Sequence, residues 1–541
     1  MTESPLNANN TAWWQHGVVY QIYPRSFQDS NGDGVGDIAG IAARLDYLRW
    51  LGVDAIWLSP VYPSPMADFG YDVSNYTDID PLFGTLQDFD TLLSETHRRG
   101  MKLIMDFVPN HTSEEHPWFR ESRASRDSAK RDWYIWRDPA PDGGPPNNWL
   151  SEFGGAAWTY DAASGQYYYH AYLPQQPDLN WRNPDVREAI HDALHFWLKR
   201  GVDGFRLDTV HHLFEDLDLR DNPPNPDFRP GMAPTLAFER RHQVDLPEVQ
   251  DVLAGFRRIT EDYGDRVLIG EAYLPLAQIM AYYGGPNPGV HLPFNFHLIG
   301  APWRASFIAD LIAQYEALLP PGAWPNWVLG NHDRARVATR VGEPQARVAA
   351  MLLLTLRGTP TLYYGDELGL TDTPIPPDRV RDPWELRVPG FGFGRDPVRT
   401  PMPWDKSSRG GFTDSEPWLP LNGDIAEKNV ESQRNSPGSL LRLYRDLLAL
   451  RRRFAALARG DYGIVESRGN ILVFARKLSH ECLTVMLNFG TNTVYTAFAR
   501  GRILISTTGG RGGEVISNLV CLQPHEGIVV EQIESAETLQ P

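Results

Sequence analysis

The chain has 541 residues, a hydrophobic content of 42% and a formal net charge of −17. That length predicts roughly two to four domains, and the acidic balance excludes a nucleic-acid binder, which needs a basic footprint. Its two cysteines, Cys482 and Cys521, are too few to staple a chain of this size, so oxidising secretion is not implied.

The N-terminus, "MTESPLNANNTAWW", lacks the basic-then-apolar pattern of a signal peptide. No apolar run approaches the ~20 residues of a membrane helix. The expected address is the cytoplasm of a bacterium, with no membrane partner and as either a monomer or a homodimer.

Next comes "GVVYQIYP", a β-branched and aromatic run that reads as a strand. It leads into "DSNGDGVGD", Asp29 to Asp37, where oxygen-bearing side chains alternate around a turn glycine. A calcium-sensing loop wants a bidentate Glu at its twelfth position and a helix on each side. Here that position is Gly40 and the upstream element is a strand. The loop keeps hard ligands without the sensor scaffold, so a fixed structural cation is expected, against the plainer alternative of a metal-free polar turn.

Seven further apolar runs follow: "GVDAIWLSP", "MKLIMDFVPN", "GVDGFRLD", "RVLIGEA", "GVHLPFNF", "NWVLGNHD" and "GTPTLYYGDE". Near-continuous hydrophobic runs are what buried parallel strands require. Segments of helical period, such as "IAGIAARLDYLRWLG" and "LQDFDTLLSETHRRG", fill the gaps. Eightfold alternation predicts an α/β fold, a (β/α)8 TIM barrel, over residues 1–110 and 184–460. Residues 111–183, rich in Trp, Gly, Pro and Asn, are too long for a loop and read as an inserted domain after strand three. From residue 461 to 541, short alternating runs predict a C-terminal antiparallel β-sandwich.

Polar residues gather where the barrel strands end: Asp106, Arg206, Asp208, Glu271, His332 and Asp333. That rim carries chemistry in TIM barrels. Asp208 and Glu271 end neighbouring strands, so they can supply the carboxylate nucleophile and carboxylic acid of a retaining glycosidase. Asp333 is placed to hold sugar hydroxyls. Arg206, two residues before Asp208, shares its side of the strand and is expected to keep it ionised. Catalytic metal ligation is disfavoured, because neither HExxH nor CxxC spacing occurs.

In this order, "DFVPNHT", "GFRLDTV", "GEAY" and "GNHD" resemble the four motif regions of the α-amylase superfamily, glycoside hydrolase family 13. "QPDLN", Gln176 to Asn180, resembles the extra motif of its α-glucosidase and oligo-1,6-glucosidase branch. The resemblance implies Asp208 as nucleophile, Glu271 as acid/base and Asp333 as transition-state stabiliser. It implies that His111, Arg206 and His332 bind the deepest sugar, that Tyr71 stacks on it and that Asp68 clamps its non-reducing end. An arginine of "GRDPVRTPMPWD", Arg399 in preference to Arg395, is expected to pair with Asp68. Phe153 is either an entrance residue or an ordinary hydrophobic contact. The resemblance also implies a Ca2+ or Mg2+ ion held by Asp29, Asn31, Asp33 and Asp37 through side chains and by Val35 through its carbonyl.

Thr209, just after the nucleophile, resembles the α-1,4 enzymes, where valine resembles the α-1,6 ones. The expectation is an exo-acting α-glucosidase on short oligosaccharides such as maltose, with transglucosylation possible. The alternatives are an oligo-1,6-glucosidase, a sucrose isomerase or trehalose-forming enzyme, and a non-enzymatic partner like the heavy chains of amino-acid transporters. "GEAYLPLAQ" departs from the α-1,4 pattern and leaves the second-sugar site open.

Overall fold

A computed structural model of the chain describes residues 11–533. The outermost residues assigned to the barrel (1–10) and to the C-terminal domain (534–541) lie outside the described residues. Eight strands build the barrel: β1 Val19–Ile22, β2 Ala55–Leu58, β3 Lys102–Phe107, β4 Gly204–Leu207, β5 Val267–Gly270, β6 Leu292–Pro293, β7 Asn326–Val328 and β8 Thr359–Tyr363. Each lies within one of the eight apolar runs. Neighbours pair in parallel in the order β7-β8-β1-β2-β3-β4-β5-β6. β6 is only two residues long, and no ladder joins it to β7 among the described residues.

Side-chain parity divides each strand between two cores. One parity (Val19, Ala55, Trp57, Ile104, Val267, Ile269, Val328) fills the barrel interior. The other (Tyr20, Ile56, Leu103, Met105, Phe205, Leu268) packs in the main cluster with the helices. Interior space is tight at Gly204, where a Cβ would lie 2.2 Å from the Val267 carbonyl oxygen. Asp106, Arg206, Asp208 and Glu271 continue the inward parity past the apolar layer. The alternation that fills the barrel thus also delivers polar groups to its rim.

Leu86–Arg98 forms one amphipathic helix, started by a capping box between Thr85 and Asp88. "IAGIAARLDYLRWLG" does not form the single helix its period suggests. It divides into Ile38–Ala43 and Leu45–Leu51 at Arg44, whose ψ of 3° departs from the helical region.

The connection between β3 and β4 carries a three-stranded antiparallel sheet, Trp136–Arg137, Gln166–Tyr169 and Trp158–Asp161. It has its own core around Ile135, Trp149, Trp158 and Tyr169. The C-terminal strands are β9 Asp461–Arg468, β10 Ile471–Leu478, β11 Glu481–Asn488, β12 Val494–Ser506, β13 Val515–Leu522 and β14 Gly527–Gln532. They form one antiparallel ladder in the order β9-β10-β11-β14-β12-β13. Leu472, Phe474 and Val485 face the main core, whereas Ile471, Val473 and Met486 close a separate one with Ile516 and Val520. Cys482 and Cys521 are both free; β14 and β12 lie between their strands.

Two buried arginines lie at the seam between barrel and sheet; of the two, Arg476 comes from the sheet and Arg451 from the barrel helix Leu440–Arg453. Arg451 donates to the carbonyls of Leu354, Leu356 and Gly358 at 3.1, 3.2 and 2.5 Å. Arg476, from β10, donates to the Thr355 carbonyl and to Gly460 at 2.8 Å. Both serve the C-terminal end of helix Glu343–Thr355, whose last carbonyls lack intrahelical partners and carry partial negative charge.

Candidate active site

One fully buried guanidinium organises the rim. Arg206 Nη1 lies 2.7 Å from Asp106 Oδ1 and 2.6 Å from Asp208 Oδ1, and its Nη2 lies 2.5 Å from Glu271 Oε2. The backbone N–H of Thr209 donates to Glu271 Oε2 at 3.2 Å, and the Thr209 hydroxyl to Asp208 Oδ2 at 3.1 Å. Thr209 holds a left-handed conformation, φ 42° and ψ 41°, unusual for a β-branched residue. The backbone thus turns immediately after Asp208.

Asp333, beyond β7, faces the pair. Arg399 Nη2 approaches its Oδ1 at 2.9 Å and Arg395 Nη1 at 3.5 Å. Burial opposes ionisation of Asp333, but the adjacent His332 and the Arg399 and Arg395 guanidiniums overcome it and hold the carboxyl well below its usual range. Burial drives His332 itself well below the ordinary imidazole value. Its ring is therefore neutral near pH 7, and the arginines are the lasting charges beside Asp333. Glu271 goes the other way: burial raises its pKa well above normal against the pull of Arg206, and the charges of Asp208 and Asp333 add to the rise. Neighbouring carboxyls are thus biased toward opposite protonation states.

A hydrogen-bond chain fixes the floor. Gln21 Nε2 stands 2.8 Å from His332 Nδ1, and His332 Nε2 stands 2.7 Å from the Tyr71 hydroxyl. With Gln21 donating, the ring proton sits on Nε2, and Tyr71 donates onward to Asp106 Oδ2 at 3.1 Å. The Tyr71 and His332 rings are parallel within 2°. Burial, partly offset by Arg206, raises the Asp106 pKa to about 7.

A cavity of about 730 Å³ opens over these groups, lined by Asp68, Tyr71, His111, Asp208, Thr209, Glu271, His332 and Asp333. Arg206 and Arg399 stand behind the carboxylates and are not among its lining residues. The expected pairing of Asp68 with Arg399 is corrected: Asp68 Oδ1 lies 2.6 Å from Arg395 Nη2, which also holds Asp382 at 2.6 Å. Arg399 instead donates to the His332 carbonyl at 2.8 Å and to Asp333. A 3-10 turn over Asp396–Val398 separates the two arginines and aims them at different carboxylates. Phe153 lines the cavity under the Arg395 guanidinium, 4.8 Å from its ring centroid.

Sequence reasoning placed Asp106 at the rim without a specific role, gave Gln176 no role of its own, and placed Arg395 behind Arg399. Asp106 was signalled by its inward parity. Gln176 opens "QPDLN"; its Nε2 lies 3.0 Å from His111 Nε2 and 3.3 Å from Asp68 Oδ2.

None of the residues of the candidate cation loop, 29–37, lines that cavity. Asp29 accepts the amides of Asn31, Gly32 and Gly34 at 3.0, 2.7 and 2.9 Å. Asn31 Oδ1 accepts Asp33 N at 2.9 Å, and Asp33 Oδ1 accepts Val35 N at 2.8 Å. Asp37 caps the helix at Ile38 by accepting Gly40 N at 2.7 Å. These turns fold successive oxygen-bearing side chains back along one short loop, and no described residue donates to the Val35 carbonyl. An all-oxygen donor set of this kind fits a hard cation. Yet no group of three or more His, Cys, Asp or Glu gathers as a ready-made metal cluster among the described residues, so Asn31 and the Val35 carbonyl would have to contribute.

A barrel whose rim gathers three carboxylates around one cavity can supply the nucleophile and acid that glycoside cleavage needs. The family described as "Alpha amylase, catalytic domain" matches residues 21–460. A "Probable alpha-glucosidase" of Rhizobium meliloti (strain 1021) is 43% identical over 504 residues, 90% of this chain and 91% of that protein. An oligo-1,6-glucosidase of Parageobacillus thermoglucosidasius is 39% identical over 518 residues, 89% and 91% of the two chains. The solved structure of the α-glucosyl transfer enzyme XgtA, 40% identical, gives a TM-score of 0.91 over 96% of this chain and 100% of its own. The chain belongs to the α-amylase family, in the branch of α-glucosidases and oligo-1,6-glucosidases. Among the described residues no helix is long and apolar enough to cross a membrane.

Proposed function

We propose that the protein is an exo-acting, retaining α-glucosidase that releases glucose from the non-reducing end of short α-1,4-glucosides such as maltose. The observation that carries this reading is the shared guanidinium of Arg206, which holds one oxygen of Asp208 and one of Glu271. A guanidinium spans only a few ångströms, and retention needs carboxyls about 5–5.5 Å apart.

In the first step the Asp208 carboxylate attacks the anomeric carbon while Glu271 gives its proton to the departing glycosidic oxygen. This leaves a β-linked glucosyl ester and a free sugar. In the second step a water gives up a proton to Glu271 and its oxygen displaces Asp208, so that two inversions return the α-anomer. If a sugar hydroxyl replaces the water, the outcome is glucosyl transfer. Asp333, held ionised, accepts hydrogen bonds from ring hydroxyls as charge develops.

The Asp68–Arg395 pair walls one side of the cavity, which favours a single chain end over an internal bond. Thr209 supports the α-1,4 preference, and the Asp29–Asp37 loop is proposed to hold a structural Ca2+ or Mg2+ away from the chemistry.

The test is a panel of maltose, isomaltose, sucrose, trehalose and maltotriose with product analysis by NMR. α-Glucose as the first anomer from maltose is expected. Initial β-glucose would overturn retention, rearranged disaccharides from sucrose alone would favour an isomerase, and a clear preference for isomaltose would defeat the linkage assignment.

A further inference from the structure

Four arginines line the cavity: Arg240, Arg241, Arg334 and Arg395. Three are neutralised by carboxylates, Arg240 by Glu152, Arg241 by Glu239, and Arg395 by Asp68 and Asp382. Arg334 has no carboxylate within 4.0 Å among the described residues; its guanidinium lies over the Tyr273 ring, 4.8 Å from the centroid. Tyr273 stacks on Phe296 at 4.3 Å and 9°, and its hydroxyl accepts from Asn331 at 3.2 Å. The layered rings and the cation together form a fixed platform.

Its position assigns it a side. Tyr273 follows Glu271 by two residues and Arg334 directly follows Asp333, so the platform rises beside the proposed proton donor. Asp68, Tyr71 and His111 bound the part of the cavity where the transferred glucose is placed. Glu271 must reach the oxygen joining two sugars, so what stands beyond it faces the departing one. Arg334 also hydrogen-bonds the Tyr273 side chain, which fixes the guanidinium; with five N–H donors it has others to offer to acceptors such as vicinal hydroxyls.

We propose that Arg334, on its Tyr273 support, is a specificity-determining residue that binds the leaving sugar, and in transfer the incoming one, through its hydroxyls. This rests on the glucosidase reading and deepens it. It also accounts for "GEAYLPLAQ", because that segment carries the support of the second-sugar site.

The experiment compares R334M and R334K with the wild type on two substrates. Maltose has a leaving sugar; α-glucosyl fluoride has none. R334M is expected to lower kcat/KM for maltose about 10- to 100-fold, the worth of hydrogen bonds to a charged group, mainly through KM. On the fluoride the change stays below about 3-fold, and R334K recovers part of the maltose loss. Equal losses on both substrates, or no loss on maltose, would overturn the assignment. R334K, which keeps the charge, serves as the reporter if R334M folds poorly: its maltose and fluoride values must diverge, or the assignment fails. Wild-type protein that cleaves neither substrate would overturn the glucosidase reading and this inference with it.

Discussion

Arg395 and Asp68, 327 residues apart, meet at 2.6 Å between Nη2 and Oδ1, and both side chains are buried. Burial raises the Asp68 pKa to about 6 even against the neighbouring arginines, so the pair depends on Arg395. R395M is expected to lose about 3–5 kcal/mol of stability, because it leaves Asp68 and Asp382 without their cation. R399M removes the partner of Asp333 instead, and should depress turnover more than substrate binding. Denaturant unfolding and steady-state kinetics on the two variants separate these outcomes.

Glu271, as the proposed acid, is expected to set the alkaline limit of activity. Its folded pKa is raised, so it holds the proton needed for the first step until the pH climbs through that value, and kcat/KM for maltose should then fall. E271Q should lower maltose turnover by about 10²–10⁴-fold, the usual worth of general acid catalysis, and abolish that alkaline limb. A pH profile of both proteins decides.

Stability should also depend on pH. The carboxyls of Asp106 and Asp68 keep their protons to about 7 and about 6 when folded, whereas unfolded Asp releases its proton near 3.9. Between those values the native state binds more protons than the unfolded chain, so unfolding free energy falls as pH rises. D106N should flatten the upper part of that fall in thermal melts from pH 4 to pH 8.

Thr209 lends its hydroxyl to Asp208. T209V keeps the branching and removes the hydrogen bond. The ratio of kcat/KM for isomaltose to that for maltose should rise about tenfold, mostly by loss on maltose. An unchanged ratio would remove Thr209 from the linkage argument.

If the Asp29–Asp37 loop binds a divalent cation, chelation should lower the midpoint of thermal unfolding, and Ca2+ or Mg2+ should restore it. Saturation at about 100 times Kd corresponds to about 2.7 kcal/mol. D29A, which also loses the three amide hydrogen bonds to Asp29, should melt at or below the chelated temperature and no longer respond to the ion.

Much of the fold and site was legible in the sequence, because buried parallel strands demand continuous apolar runs and strand parity fixes direction. The eight runs, the inward column of Asp106, Arg206 and Asp208, and the position of Glu271 all follow from those two rules. What escaped lies where no period operates. Arg395 and Arg399 flank a 3-10 turn, and composition alone does not say which one reaches Asp68. The helix break at Arg44 carries neither proline nor glycine. Arg334 and Tyr273 come from separate loops, and only folding reveals that one lies over the other.

The hold of Arg476 on the carbonyls of Thr355, Leu457 and Gly460 means that the terminal sheet is no detachable appendage. A polypeptide stopped near Gly460 would strand main-chain oxygens in a dry interior and bare the greasy flank that Leu472, Phe474 and Val485 now cover. Shortening the gene at that seam should therefore yield insoluble material rather than a smaller enzyme.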